Sequence, residues 1–241
     1  AGTVLLPGEF LVLYADSNAA APGLHLGFSL DGKGEGVWLY DSPANGGVLL
    51  DSVQFGVQLP DRSIGRVGHD GGWALAEPTF GVPPSGGLLP GAANAAQRTG
   101  NASTLKINEW LADGDVAFPT DFIELYNPDP LPVALGGLYL SDQPATMPDR
   151  HQIAALSFAP GGGCIAFEAV GQAGTDATHL SFRISPDHGL LGLADASLDP
   201  IDVILYSSQT SDVSQGRSPD GDRPFAFYTI PTPGQLNSTP I

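Results

Sequence analysis

Residues 51–66 read DSVQFGVQLPDRSIGR, and residues 202–217 read DVILYSSQTSDVSQGR; the two stretches align without a gap. The matched positions are Asp51/Asp202, Val53/Ile204, Phe55/Tyr206, Gln58/Gln209, Asp61/Asp212, Ser63/Ser214, Gly65/Gly216 and Arg66/Arg217. Working outward, His25-Leu26-Gly27-Phe28-Ser29-Leu30 parallels His179-Leu180-Ser181-Phe182-Arg183-Ile184. Earlier, Leu6-Pro7-Gly8-Glu9 opens a block that parallels Ala159-Pro160-Gly161-Gly162, and later Pro90-Gly91-Ala92-Ala93-Asn94 parallels Pro233-Gly234-Gln235-Leu236-Asn237. Blocks that recur in the same order mark an internal repeat, and a repeat fixes the organisation before any single element is assigned.

Each copy reads as β-structure. Residues 10–14 and 164–167 are short apolar runs placed after Pro-Gly turns. Residues 37–40 and 190–194 form the next run, and residues 49–55 and 201–206 are β-branched and aromatic with partial alternation. No long stretch keeps an apolar 3.6-residue period, so helix content is expected to be low. The 32 Gly and 22 Pro sit between these runs and not in one tract, the pattern of many strands joined by many turns.

The copies are unequal. Residues 104–157 hold three further strand candidates, at 105–111, 122–126 and 138–140, with no counterpart in the first copy. The expected division is a partial module over 1–94, a small polar linker over 95–103 and a complete module over 104–241. A sandwich without three strands exposes apolar faces and unpaired edges. The sequence is therefore expected to be a piece of a longer protein, or to take those strands from upstream sequence or another chain.

Composition narrows the function classes. Net charge is −17, from 26 acidic and 9 basic residues, which leaves no Lys/Arg cluster to release counterions from a nucleic-acid backbone. The apolar runs are too short to span a bilayer as helices, and no basic-then-apolar leader opens the sequence. The single cysteine, Cys164, lies in an apolar run and has no partner for a disulfide or a CxxC site.

The second copy resembles the lamin tail domain, an immunoglobulin-like β-sandwich family. Leu105-Lys106-Ile107-Asn108-Glu109-Trp110-Leu111-Ala112 is similar to its opening strand, and Asp121-Phe122-Ile123-Glu124-Leu125-Tyr126-Asn127 to its "DWIELYN" strand. Leu135-Gly136-Gly137-Leu138-Tyr139-Leu140-Ser141-Asp142 matches a third segment, and residues 202–237 match the closing pattern through Gly216-Arg217-Ser218-Pro219-Asp220-Gly221 and Pro231-Thr232-Pro233-Gly234. The resemblance covers 104–237 completely and 5–94 in half-pattern. The first copy departs after Arg66, with Val67-Gly68-His69-Asp70-Gly71-Gly72 where the second has Ser218-Pro219-Asp220-Gly221. The resemblance implies a structural or protein-interaction module of a large exported bacterial protein, outside the cell, on its surface or in the periplasm. Its partner is expected to be a protein or cell-surface component, with neither nucleic-acid binding nor membrane insertion.

The chemistry-bearing residues are read as a structural motif: Asn108, Glu109, Glu124, Asn127, Asp142, Asp212 and Arg217, with Asp61 and Arg66 in the first copy. Glu109 and Glu124 are expected on adjacent strands, hydrogen-bonded to backbone or Arg, and not as a catalytic pair in a cleft. Glu124 is the expected partner of the Arg217 fork, and the glycine before Arg217 suits a bulge or a positive φ. Asp113-Gly114-Asp115 with Asp121, and Asp220-Gly221-Asp222, offer oxygen ligands for Ca2+, but Asp-Gly also marks a plain turn. Trp38 and Trp110 are expected in the core. No GxSxG, HExxH, Walker or GxGxxG pattern occurs, so no catalytic residue or cofactor is assigned. The alternatives are a Ca2+-stabilised adhesion or carbohydrate-binding module and an accessory domain of an extracellular hydrolase.

Overall fold

A computed structural model describes residues 4–18, 20–68, 71–79, 93–172, 174 and 176–241. The repeat block at 90–92 and the divergent His69-Asp70 pair lie outside the described residues. The protein is all-β, with about a third of its residues in strands and 3% helical. The strands are β1 (Glu35–Tyr40), β2 (Leu49–Phe55), β3 (Ser63–Val67), β4 (Gly72–Ala76), β5 (Lys106–Leu111), β6 (Phe122–Tyr126), β7 (Val133–Ala134), β8 (Tyr139–Ser141), β9 (His151–Gln152), β10 (Phe158–Ala159), β11 (Cys164–Glu168), β12 (Gly189–Ala194), β13 (Pro200–Tyr206), β14 (Ser214–Arg217) and β15 (Phe225–Tyr228). Spatially they fall into two units, 1–32 with 60–97 and 33–59 with 98–241. The break after Gln97 lies inside the expected linker, whereas residues 33–59 of the expected first module group with the second unit.

The larger unit is built on a five-stranded sheet, β11-β6-β5-β14-β15, and a four-stranded sheet, β13-β12-β8-β9. Trp110, Ile123, Leu125 and Phe167 from the first sheet share one buried cluster with Leu140, Leu191, Leu193 and Ile204 from the second. Two sheets meeting on one apolar core is the arrangement of a β-sandwich. Alternation explains β13, where Ile204 and Tyr206 are buried while Val203 and Leu205 face outward. β5 is different: from Ile107 to Leu111 every residue is buried, because the strand is central in its sheet and a register shift lies between Ile107 and Glu109. The extra residue, Asn108, breaks the two-residue period and lets Asn108 and Glu109 both turn into protein.

The β1–β2 hairpin also belongs to this unit, though among the described residues it is paired only with itself. Its base is held by backbone bonds from Gly56 N to Ala155 O (2.8 Å), Phe158 N to Val57 O (3.0 Å) and Ala177 N to Lys33 O (2.9 Å). Its body is largely exposed, and Trp38 is 49% exposed. That corrects the expectation of a core Trp38: the ring lies back over Gly36 on its own strand and stays half exposed. Trp110 is fully buried, packed edge-on against Phe225 at 5.5 Å between ring centres.

The smaller unit contains the β3–β4 hairpin, extended by an isolated bridge from Ala76 to Ala96. Residues 10–14, expected as a strand, form none. Only Tyr14 pairs, in a parallel bridge with His25, bonding Tyr14 N to Leu24 O and Leu26 N to Tyr14 O. The corresponding run in the larger unit ends in the same device, Glu168 bridged to His179, but is a full strand because β6 forms a ladder with it. An apolar run without a ladder partner keeps its backbone groups for solvent and does not register as a strand.

Local geometry recurs between matched segments. The β1–β2 and β12–β13 ladders each shift register at the last residue of their first strand, Leu39/Tyr40 and Leu193/Ala194. Asp61 and Asp212 hold the same left-handed turn, with φ of 56° and 57°. Arg66 stacks on Trp73 at 4.8 Å, and Arg217 on Phe225 at 5.1 Å. Asn94 Nδ2 donates to Arg66 O, and Asn237 Nδ2 donates to Arg217 O.

Candidate functional site

A buried cluster of polar side chains lies on β5 and β6 of the five-stranded sheet. Glu109 and Glu124 are directly opposed on β5 and β6, and both are fully buried. Each carboxylate is met by donors from a distant turn. Glu109 accepts from the Ser214 hydroxyl, from Thr232 N (3.1 Å) and from Thr232 Oγ1 (3.0 Å). Glu124 accepts from Asn108 Nδ2 (2.9 Å) and Gly234 N (2.8 Å). Asn108 Nδ2 also donates to Asp220 Oδ1 at 2.8 Å, while its Oδ1 accepts from Gly221 N at 3.0 Å. The acids are neighbours on adjacent strands, as expected, but their donors are backbone, hydroxyl and amide groups and, among the described residues, not an arginine; they clamp β5 and β6 to the 231–234 turn.

Burial raises both carboxyls above the usual range. For Glu124 loss of hydration outweighs the Asn108 bond, and the adjoining Glu109 charge adds to it, taking the pKa to about 8. Glu109 is raised for the same first cause, opposed by Ser214 and Thr232. Like-charged neighbours with little water do not both ionise readily. Burial with the neighbouring carboxylates also pushes the Cys164 thiol up, which leaves it protonated and unreactive.

Arg217 is the second centre, and its partner is not Glu124. Its Nη2 pairs with Asp202 Oδ2 at 2.9 Å, Nε donates to Ile107 O at 2.8 Å, and Nη1 donates to Asp222 O at 2.6 Å. The same Asp202 oxygen accepts from Ile107 N at 2.9 Å, so one ion pair reads both backbone groups of Ile107. Glu124 projects towards Asn108 and the 231–234 turn instead. The glycine before Arg217 needs no positive φ and no bulge: Gly216 is ordinary strand. A Cβ there would lie 2.8 Å from Asn108 O and 2.9 Å from Asn237 Nδ2, so close approach is what requires glycine.

The remaining motif residues hold loops. Asp212 caps the 113–118 loop, accepting from the backbone N–H groups of Asp115, Val116, Ala117 and Phe118 at 3.0–3.2 Å. Those bonds lower its pKa to about 2. Asn127 donates to Leu131 O and Pro160 O and accepts from Asp129 N. Asp142 pairs with Arg150 at 3.0 Å. Of the proposed Ca2+ ligands, Asp121 accepts from Gly114 N, Asp113 from Ser211, and Asp220 turns inward to Asn108 and Asn237. Among the described residues no group of three or more His, Cys, Asp or Glu is placed to hold a metal ion.

Sequence reading passed over Asp202, Ser214, Thr232 and Gly234 as site residues, though all lie within quoted motifs, and weighed Asp220 only as a Ca2+ ligand or turn residue. The signal available was their recurrence: Asp202 and Ser214 are matched by Asp51 and Ser63. In the first copy Asp61 and Arg66 are exposed, whereas Arg217 is 5% exposed. Grooves also open among the described residues of the larger unit. One of about 480 Å3 runs past Phe118, Phe122, Ile165 and Gly234, and an apolar one of about 260 Å3 past Pro144, Leu190 and Val203. Neither is lined by Glu109 or Glu124. No helix among the described residues is long and apolar enough to cross a membrane. Compared with known proteins, the chain matches no family model, no curated protein and no solved structure.

Proposed function

We propose that the chain comprises a complete lamin-tail-like, immunoglobulin-like β-sandwich module and a partial copy of the same module, serving as a non-catalytic structural or protein-interaction part of a larger exported bacterial protein. The observation that carries this reading is the burial of the Glu109–Glu124 pair and the engagement of every one of its oxygens by a neighbouring donor. The carboxylates are wrapped by Ser214, Thr232, Asn108 and Gly234, so the lone pairs that an acid–base mechanism would use are engaged in joining strands. Raised carboxyl pKa values accompany catalytic sites, and buried structural networks raise them too. The recurring geometry around Arg66 and Arg217 supports the tandem reading, and the paired β5 and β6 motifs support the family reading. Fold analogy alone does not assign a partner.

The test is calorimetry with Ca2+ together with a glycan array on the whole chain. No heat beyond dilution and no retained glycan are expected. A saturable Ca2+ isotherm or a specific glycan signal would replace this reading with the adhesion or carbohydrate-binding one.

A further inference from the structure

We propose that the larger unit pairs with a second copy of itself through the outer face of β12–β13, each copy placing Leu205 in an apolar groove of the other. The inference goes beyond the function proposed above, since it rests on this unit alone and not on the lamin-tail reading.

Alternation on β13 turns Ile204 and Tyr206 into the core and leaves Val203 and Leu205 outside, 48% and 76% exposed. The ladder does not require apolar residues at these two places. In the aligned strand β2 the same positions are Ser52 and Gln54, and the β1–β2 ladder forms with them. Across the β12–β13 ladder Leu205 faces Leu190 and Val203 faces Gly192. Leu190 and Val203 line the apolar groove of about 260 Å3, together with Pro144, Ala145, Pro148 and Leu198. A Cβ on Gly192 would stand 2.4 Å from Pro144 Cβ, so glycine is what lets the 144–148 loop close over the strand. Leu198 sits at φ 67°, a costly conformation for a bulky residue, in a turn held by Asp195 through the N–H groups of Ser197 and Asp199.

An exposed leucine and a groove thus lie side by side on one face. Such a face is complementary to itself under a two-fold rotation, so a second copy fills both grooves with no further feature. The groove has room for the side chain, because a cavity of about 150 Å3 already holds a benzene-sized group. Leu198, Val203, Leu205 and the groove wall expose roughly 500 Å2 of apolar surface, the apolar share of the about 800 Å2 that each partner gives a standard interface. Asp195 and Asp199, on either side of Leu198 in the chain, are acidic in both copies. The contact is therefore driven by apolar burial and strengthened when salt screens those charges.

Sedimentation velocity of the whole chain across a concentration series is the test. A monomer–dimer equilibrium is expected, with a Kd on the order of 10–100 μM, tightening several-fold as salt is raised. Leu205→Gln gives β13 the side chain its aligned strand carries, so the sheet is expected to keep its circular dichroism. It should weaken the dimer about tenfold or more, because two leucines leave the interface. Ala145→Arg, which blocks the groove from an exposed loop, should weaken it likewise. Leu39→Gln, at an exposed position on the β1–β2 hairpin, should leave it unchanged. A monomer at every concentration up to about 1 mM overturns the proposal and leaves the groove to a different protein. A dimer that survives Leu205→Gln, dissolves with Leu39→Gln alone, or weakens as salt is raised overturns it too. These outcomes leave the Ca2+ and glycan results untouched, so the broader functional reading stands or falls separately.

Discussion

The β3–β4 and β14–β15 hairpins share an aligned first strand and an arginine–aromatic stack, yet among the described residues only β14 has a further strand, β5, paired on its other side. Each is a four- or five-residue ladder with an arginine stacked on the aromatic directly across it. Arg217 is buried by β5 and satisfied by Asp202, Ile107 and Asp222, whereas Arg66 lies exposed. The guanidinium environments follow what lies beside each first strand: β14 pairs with β5, whereas among the described residues β3 pairs with β4 alone. A guanidinium is a poor core residue until a neighbouring strand supplies carbonyls and a carboxylate, and then its removal leaves those groups buried and unpaired.

That contrast is best broken by paired substitutions. Arg217→Ala is expected to cost about 3–5 kcal/mol, the usual loss when one partner of a buried ion pair is deleted. Arg66→Ala is expected to cost about 1 kcal/mol or less, an exposed cation–aromatic contact. Urea denaturation monitored by circular dichroism measures both, and equal losses would mean that the two hairpins are equally embedded. A parallel pair tests the apolar side. Trp110→Ala removes a fully buried ring and should cost about 3–5 kcal/mol. Trp38→Ala, on the open β1–β2 hairpin, should stay under about 1 kcal/mol.

Much of this contrast was legible beforehand, and the part that was not has a physical cause. Six strands of the second half, β5, β6, β8, β11, β12 and β13, followed from short apolar runs, whereas β7, β9, β10, β14 and β15 did not; the opposition of Glu109 to Glu124 followed from where their motifs sit on consecutive strands. Trp38 was misplaced because a strand pattern shows that a face is apolar but not that another sheet covers it. Residues 10–14 were misplaced for the same reason: strand propensity is only realised when a partner provides the ladder. The Arg217 partner was wrong because the Asn108 bulge turns the polar groups of β5 towards the 231–234 turn, and a one-residue bulge cannot be read from alternation that is already blurred by a fully buried strand. The Asp202 contact spans 95 residues to Ile107, a distance over which spacing carries no information.

The acid pair sharpens the comparison further, since the first half offers no counterpart of it. Glu124 titrates near 8 in the folded protein, against about 4.3 in an unfolded chain. Its folded pKa is raised, so the folded state binds the extra proton. Its contribution is therefore whole below about pH 4.3 and is progressively lost as pH rises towards 8. Glu109 is displaced in the same direction. Stability is accordingly expected to decline between about pH 5 and 8, and Glu124→Gln should flatten the decline. The amide would also set an N–H against Asn108 or Gly234, lowering stability by about 1–3 kcal/mol at acidic pH. The slope, measured by urea midpoints across pH, is the deciding quantity; an unchanged slope would place the titration elsewhere.

The smallest effect comes from the two left-handed aspartates. Asp212 satisfies four backbone donors of the 113–118 loop, and Asp61 repeats its turn without that loop. With Asp212→Ala, amide exchange at Asp115, Val116, Ala117 and Phe118 is expected to quicken several-fold, because a lost cap opens a loop locally without unfolding the sheet. Asp61→Ala should leave exchange at these four amides unchanged. The Asp212 carboxyl is held near 2, below its unfolded value, so its contribution is present above about pH 4 and disappears as pH falls through 2. Protection of the four amides should accordingly fade in strong acid in the unaltered protein and be absent throughout in Asp212→Ala. If the loop stays protected without the carboxylate, packing of Phe118 rather than the cap holds it. The retained turn at Asp61 would then be a matter of hairpin geometry alone, since it could no longer be read as the remnant of a loop anchor.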